Sequence, residues 1–117
     1  MKFMVEVLLK GQDEVVERQV EFDGPEPLAW ADDDVRRVLE STLGAFDAVQ
    51  QPDGAEERTV TLHGFSWIVN EVEGGVAIFI EIPSGAVVAG PFDADAETLT
   101  ATISRVLANA QGSTQTH

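Results

Sequence analysis

A two-residue alternation of apolar and polar side chains recurs in short stretches of this chain, and turn residues separate those stretches. The first stretch covers residues 3–9 and the second covers residues 16–22, with a glycine-containing turn at 11–13 between them. Alternation over such lengths is typical of strands that are buried on one face only. Because the connection is short, we predict that the first two strands form an antiparallel hairpin.

The second half of the chain has the same alternation. His63-Gly64 and Gly74-Gly75 are typical of two-residue hairpin turns, and a further turn at 83–85 precedes a strand at 86–90. Since directly paired residues share a face of the sheet, this register predicts a core face that collects Val60, Leu62, Phe65, Trp67, Val69, Val76, Ile78, Ile80 and Ile82. The opposite face collects Thr59, Thr61, Ser66, Ile68, Asn70, Val72, Ala77, Phe79 and Glu81.

Two segments have helical periodicity instead. The apolar stripe of the first is Val35, Val38, Leu39, Leu43 and Phe46, and that of the second is Leu99, Ile103, Val106, Leu107 and Ala110. We expect Asp32–Asp34 to mark the start of the first helix and Asp93 to cap the second, while Trp30 anchors the preceding linker to the fold. The prediction is an α+β two-layer sandwich: an antiparallel sheet of about six strands with both helices on one face, in the order β-β-α-β-β-β-β-α. Residues 1–111 would form one domain, and residues 112–117 a flexible tail.

The charge of the chain excludes some partners. With 21 Asp and Glu against 7 Lys and Arg, the formal charge is −14. Such a surface repels phosphate backbones and anionic headgroups, so we expect neither nucleic acid nor membrane as a partner. The scattered acidic residues fit a generally acidic proteome, and they also fit a basic partner, as for an immunity protein or a secretion chaperone. The absence of cysteine excludes thiolate chemistry and is compatible with a cytoplasmic location.

Few residues are suited to catalysis. His63 lies near Ser66, but no third group is placed to orient such a pair, and His117 falls in the expected tail. Helix capping and ion pairs with Arg36 and Arg37 explain Asp32–Asp34 better than a metal site does. No glycine-rich phosphate loop is present. We therefore expect a non-enzymatic protein without cofactor or metal.

One candidate pocket remains. The predicted register places Glu71 and Glu73 on the core face beyond Val69, on the same strand as Trp67. There they lie either at an end of the sheet that the helices do not reach, or in a pocket that would raise their pKa values and suit them to acid–base chemistry. The second alternative would make the protein a small-molecule binder or an enzyme.

The leading hypothesis concerns the opposite face of the sheet. Its candidate interface residues are Ile68, Val72, Ala77 and Phe79, and Met4 and Leu8 would extend this apolar patch if the first strand pairs nearby. Contiguous apolar patches on small domains mark interaction sites, and two-fold contacts are the commonest ones. We therefore expect a protein-interaction domain that forms a homodimer through its sheet.

Overall fold

The computed structural model describes residues 1–51 and 65–112, and of residues 110–112 it describes the backbone alone. In chain order the elements are β1 (Lys2–Leu9), β2 (Val16–Glu21), a 3-10 turn (Pro27–Ala29), α1 (Asp32–Gln50), β3 (Ser66–Val72), β4 (Gly75–Ile82), β5 (Gly85–Phe92) and α2 (Ala96–Gly112). The α+β class is confirmed, with the order β-β-α-β-β-β-α over the described residues. The strand predicted around residues 59–62 and the turn at His63-Gly64 lie outside the described residues, as does the segment 113–117.

The strands form one five-stranded sheet in the order β2-β1-β5-β4-β3, and every neighbouring pair is antiparallel. The last strand in the chain therefore lies at the centre of the sheet, between β1 and β4. β2 and β3 are the two edges of the described sheet.

The β3–β4 turn differs from the prediction by one position. Glu73 and Gly74 form the turn, so Val72 pairs with Gly75 and Glu71, not Glu73, pairs with Val76. Gly74 has φ +93°, a conformation that glycine adopts at little cost. The shift changes each pairing by two residues, and because side chains alternate with a period of two, the predicted faces are retained.

Both helices pack on one face of the sheet. α1 contacts β1, β2 and β5, α2 contacts β3, and the two helices contact each other. The predicted stripes are buried: Val35, Val38, Leu39, Leu43 and Phe46 in α1, and Leu99, Ile103, Val106 and Leu107 in α2. They meet core-face residues of the sheet such as Val5, Val87 and Ile80, each at most 1% exposed. Within residues 1–51 and 65–112, no helix packs on the other face of the sheet.

The cap of α2 is Asp95 and not Asp93. The Asp95 carboxylate accepts hydrogen bonds from the backbone N–H and the hydroxyl of Thr98, both at 2.9 Å. These bonds lower the pKa of Asp95 because they stabilise its charged form. The prediction was two residues early because β5 runs to Phe92, leaving Asp93 in the connection.

Trp30 anchors the linker, as predicted. Its ring lies edge-on to Phe22 and Phe92, with centroid distances of 6.0 and 5.1 Å, and its indole N–H donates to the Pro25 carbonyl at 3.0 Å. Such aromatic contacts hold the segment before α1 against the end of the sheet.

Candidate interaction face

We call the side of the sheet that faces away from the helices the open face. A single row of residues crosses it from edge to edge, one from each strand. Successive pairings join Glu17 to Glu6 (β2–β1), Glu6 to Val88 (β1–β5), Val88 to Phe79 (β5–β4) and Phe79 to Ile68 (β4–β3). The row therefore changes from acidic at the β2 edge to apolar at the β3 edge.

The apolar part of this row is accessible. Ile68 is 53% exposed, and Phe79 and Val88 are partly exposed. Three further large apolar side chains on the open face, Met4, Leu8 and Val72, are exposed as well. Ala77 differs, because at 4% exposure it lies in the floor of the face rather than on its surface. Of the four candidate interface residues, Ile68, Phe79 and Val72 thus present side-chain surface to solvent.

A shallow depression of about 330 Å³ adjoins the row on the open face. Two pairings cross it: Ala86 of β5 lies beside Glu81 of β4, which lies beside Ser66 of β3. Val88 lies beside Phe79, which lies beside Ile68. The small side chain of Ala86 leaves room between its larger neighbours. The depression offers a mainly apolar surface that a bulky side chain can enter.

Charge is distributed unevenly over the open face. Glu6 and Glu17 lie directly opposite each other on β1 and β2, and Lys2 contacts Glu21 at 3.8 Å. Lys10 continues β1, since its backbone N–H donates to the Ser84 carbonyl at 2.9 Å. The open face thus carries both lysines of the chain together with Glu6, Glu17, Glu21 and Glu81. Its described charged residues are therefore two lysines and four glutamates.

The arginines of the helix layer are already paired. Arg36 bonds Asp33 and Glu40, and Arg37 bonds Asp34 at 3.2 Å. Asp34 also caps α1, because its carboxylate accepts the backbone N–H of Ala31 at 2.9 Å.

Asp32 bonds Arg105 of α2 in place of the predicted Arg36. The bonded guanidinium lowers the pKa of Asp32 by stabilising its charge. Asp32–Asp34 therefore serve as cap and ion-pair partners, and no group of three or more His, Asp and Glu within residues 1–51 and 65–112 is arranged to hold a metal ion.

The residues of the candidate pocket are not brought together. Trp67 is half-buried against the core, Glu71 is exposed near the end of β3, and Glu73 is exposed in the turn. The pairing of Glu71 with Val76 puts its carboxylate where the strands end. This is the arrangement expected for an end of the sheet that the helices do not cover.

Sequence reasoning missed Val88 and Glu6, which complete the row. The stretch Ala86-Val87-Val88-Ala89 is apolar throughout, so alternation could not show which of its side chains face the helices. Glu6 is a charged residue within the apolar run of β1. That pattern predicts an exposed side chain, but it does not show which residues of other strands lie beside it. Only the central place of β5 joins these residues to Phe79.

Comparison of the chain with protein-family models, with curated proteins and with solved structures found no match. None of the helices in the described part of the chain is long and apolar enough to cross a membrane.

Proposed function

We propose that this protein is a non-enzymatic interaction domain that forms a homodimer through the open face of its sheet. The observation that carries the proposal is the exposed apolar row formed by Ile68, Phe79 and Val88 on a face that no described helix covers. Burying apolar surface is the main favourable contribution to most protein association. In the cell we place the dimer in the cytoplasm, with which a chain without cysteine is compatible.

The distribution of charge supports a second copy as the partner. Two copies of a chain with a charge of −14 repel each other. Both lysines of the chain, which offset part of that repulsion, lie on the same face as the apolar row.

The mass of the protein in solution, measured by light scattering, tests the proposal. The wild-type chain should be a dimer, and Phe79→Glu should be a folded monomer because it places a charge in the middle of the apolar row. Leu28→Glu is the matched control, since Leu28 is an apolar side chain that is 74% exposed but lies off the sheet. A wild-type monomer, or a dimer that survives Phe79→Glu, would contradict the proposal.

A second candidate function is binding of a basic protein. The observation that favours it is the acidity of the helix layer and its flanking loops, where exposed Asp23, Glu26, Asp93 and Glu97 form no ion pair within residues 1–51 and 65–112. Binding of a lysine-rich peptide that weakens steeply with salt would support this function. Equal binding to a neutral peptide of the same length would argue against it.

A further inference from the structure

The gradient of charge along the row restricts how a second copy can lie on the open face. This argument rests on the proposed homodimer. A two-fold dimer that packs two sheets face to face has two simple arrangements, because its axis runs either along the strands or along the row. The two arrangements bring different strands of the second copy over β3.

An axis along the strands reverses the strand order of the second copy. β3 then lies over the β2 strand of the second copy, so that Ile68 meets Glu17, and Phe79 meets Glu6. Four carboxylates in the dimer would lose water against apolar side chains without gaining a cationic partner there. Burial of an unpaired carboxylate is strongly unfavourable.

An axis along the row keeps the strand order. β3 lies over β3 and β4 over β4, so Phe79 and Ile68 each meet their own copy. The acidic ends of the two rows lie together at one margin of the interface. There the twist of the sheets allows them to diverge and remain in water.

We infer that the second copy packs in this arrangement, with β3 against β3 and with Phe79 close to the two-fold axis. The two β3 strands are then antiparallel to each other. Ser66 and Asn70, exposed residues of the open face on either side of Ile68, come together in the dimer: Ser66 of one copy lies over Asn70 of the other. In the rejected arrangement Asn70 lies over Gln19 of β2, which is also exposed.

Cross-linking distinguishes the two arrangements, because the chain has no cysteine of its own. A mixture of Ser66→Cys and Asn70→Cys chains is treated with a short bis-maleimide, and so is a mixture of Asn70→Cys and Gln19→Cys chains. The three residues that cysteine replaces are polar and exposed and lie outside the apolar row, so dimer formation should be retained. We expect a mixed dimer band from the first mixture only, and its loss when both chains also carry Phe79→Glu.

The possible failures are separable. A cross-link in the Asn70 and Gln19 mixture, or a wild-type dimer with no cross-link in either mixture, overturns the inferred arrangement and leaves the homodimer in place. A wild-type chain that light scattering shows to be a monomer overturns the homodimer itself, and the arrangement with it.

Discussion

Asp32 and Arg105, which are 73 positions apart in the chain, form two hydrogen bonds of 2.7 Å that join the first turn of α1 to α2. The paired geometry matches the planar guanidinium to both carboxylate oxygens. This contact connects the helices on their solvent side, while their apolar stripes connect them through the core.

The Asp32–Arg105 pair should make the stability of the fold depend on pH in the acidic range. Because Arg105 lowers the pKa of Asp32 in the folded state, the pair contributes stability above the pKa of an unfolded aspartate and loses it as the pH falls through the folded value. The wild-type protein should therefore be more stable than Arg105→Gln at pH 7, and the difference should shrink below about pH 4. Both partners are exposed, so we expect a small difference.

Denaturant unfolding of the two proteins at pH 7 and at pH 3 measures the acid dependence. The double variant Asp32→Asn with Arg105→Gln should lose little more than Arg105→Gln alone. An equal stability difference at both pH values would contradict the prediction.

The thermal stability of the protein should depend on the α2 cap residue Asp95 and not on Asp93. Asp95→Ala removes the acceptor for the backbone N–H and the hydroxyl of Thr98, so the midpoint of thermal unfolding should fall. Asp95→Asn should recover much of the loss, because the amide oxygen also accepts. Asp93→Ala is the control and should leave the midpoint nearly unchanged, whereas equal effects at Asp93 and Asp95 would show that the cap is assigned to the wrong residue.

Trp30 and Phe92 should be coupled energetically. Their rings meet edge-on at 5.1 Å, and such pairs contribute about 0.5–1.5 kcal/mol beyond the area they bury. A double-mutant cycle with Trp30→Leu and Phe92→Leu should therefore give a coupling free energy of that size by denaturant unfolding. As a control, Leu28→Ala, which truncates a largely exposed side chain of the same segment, should be additive with Phe92→Leu. A coupling near zero for Trp30 would mean that the ring covers the sheet end without a specific contact.

Salt should tighten the proposed dimer. Raising the salt concentration from about 0.1 to 1 M shortens the screening length from about 10 to 3 Å and weakens the repulsion between two acidic chains. The Kd from sedimentation should therefore fall as salt rises, opposite to the behaviour of a complex with a basic partner.

Replacing Glu6, whose carboxylate lies opposite that of Glu17, should also reduce repulsion, both within the chain and between two copies. Glu6→Gln ends the direct opposition of Glu6 and Glu17, which should stabilise the folded chain by about 0.2–1 kcal/mol and tighten the dimer at low salt. Glu97→Gln, on α2, is the matched control and should do neither. A dimer that weakens as salt is added would contradict this account.

Periodicity and turn residues together predicted the helices and strands that the structure describes, and periodicity predicted the two faces of β3 and β4. The helical stripes and the alternation at Trp67, Val69 and Ile78 each reflect burial, which is a local signal with a fixed period. Even the misplaced β3–β4 turn preserved the faces, because the error moved the pairing by two residues. The strand predicted around 59–62 lies outside the described residues and stays a prediction.

Relationships between distant segments could not be predicted in the same way. Nothing near Asp32 in the sequence indicates that its partner is Arg105 rather than Arg36, since the helical spacing favours the nearer arginine. The place of β5 between β1 and β4 has no local signal either, and it is what aligns Glu6 and Val88 with Phe79. The exposure of Ile68 followed from the alternation, whereas the burial of Ala77 depends on its neighbours within the face.

The central position of β5 also sets an order of events during synthesis. Until residues 85–92 have left the ribosome, β1 and β4 each have a bare inner edge, with backbone N–H and C=O groups ready to pair with any extended chain. One late strand closes both edges at once. A chain that terminates before Gly85 is therefore left with two separate half-sheets, and we expect it to aggregate or be degraded rather than to persist as a smaller folded domain.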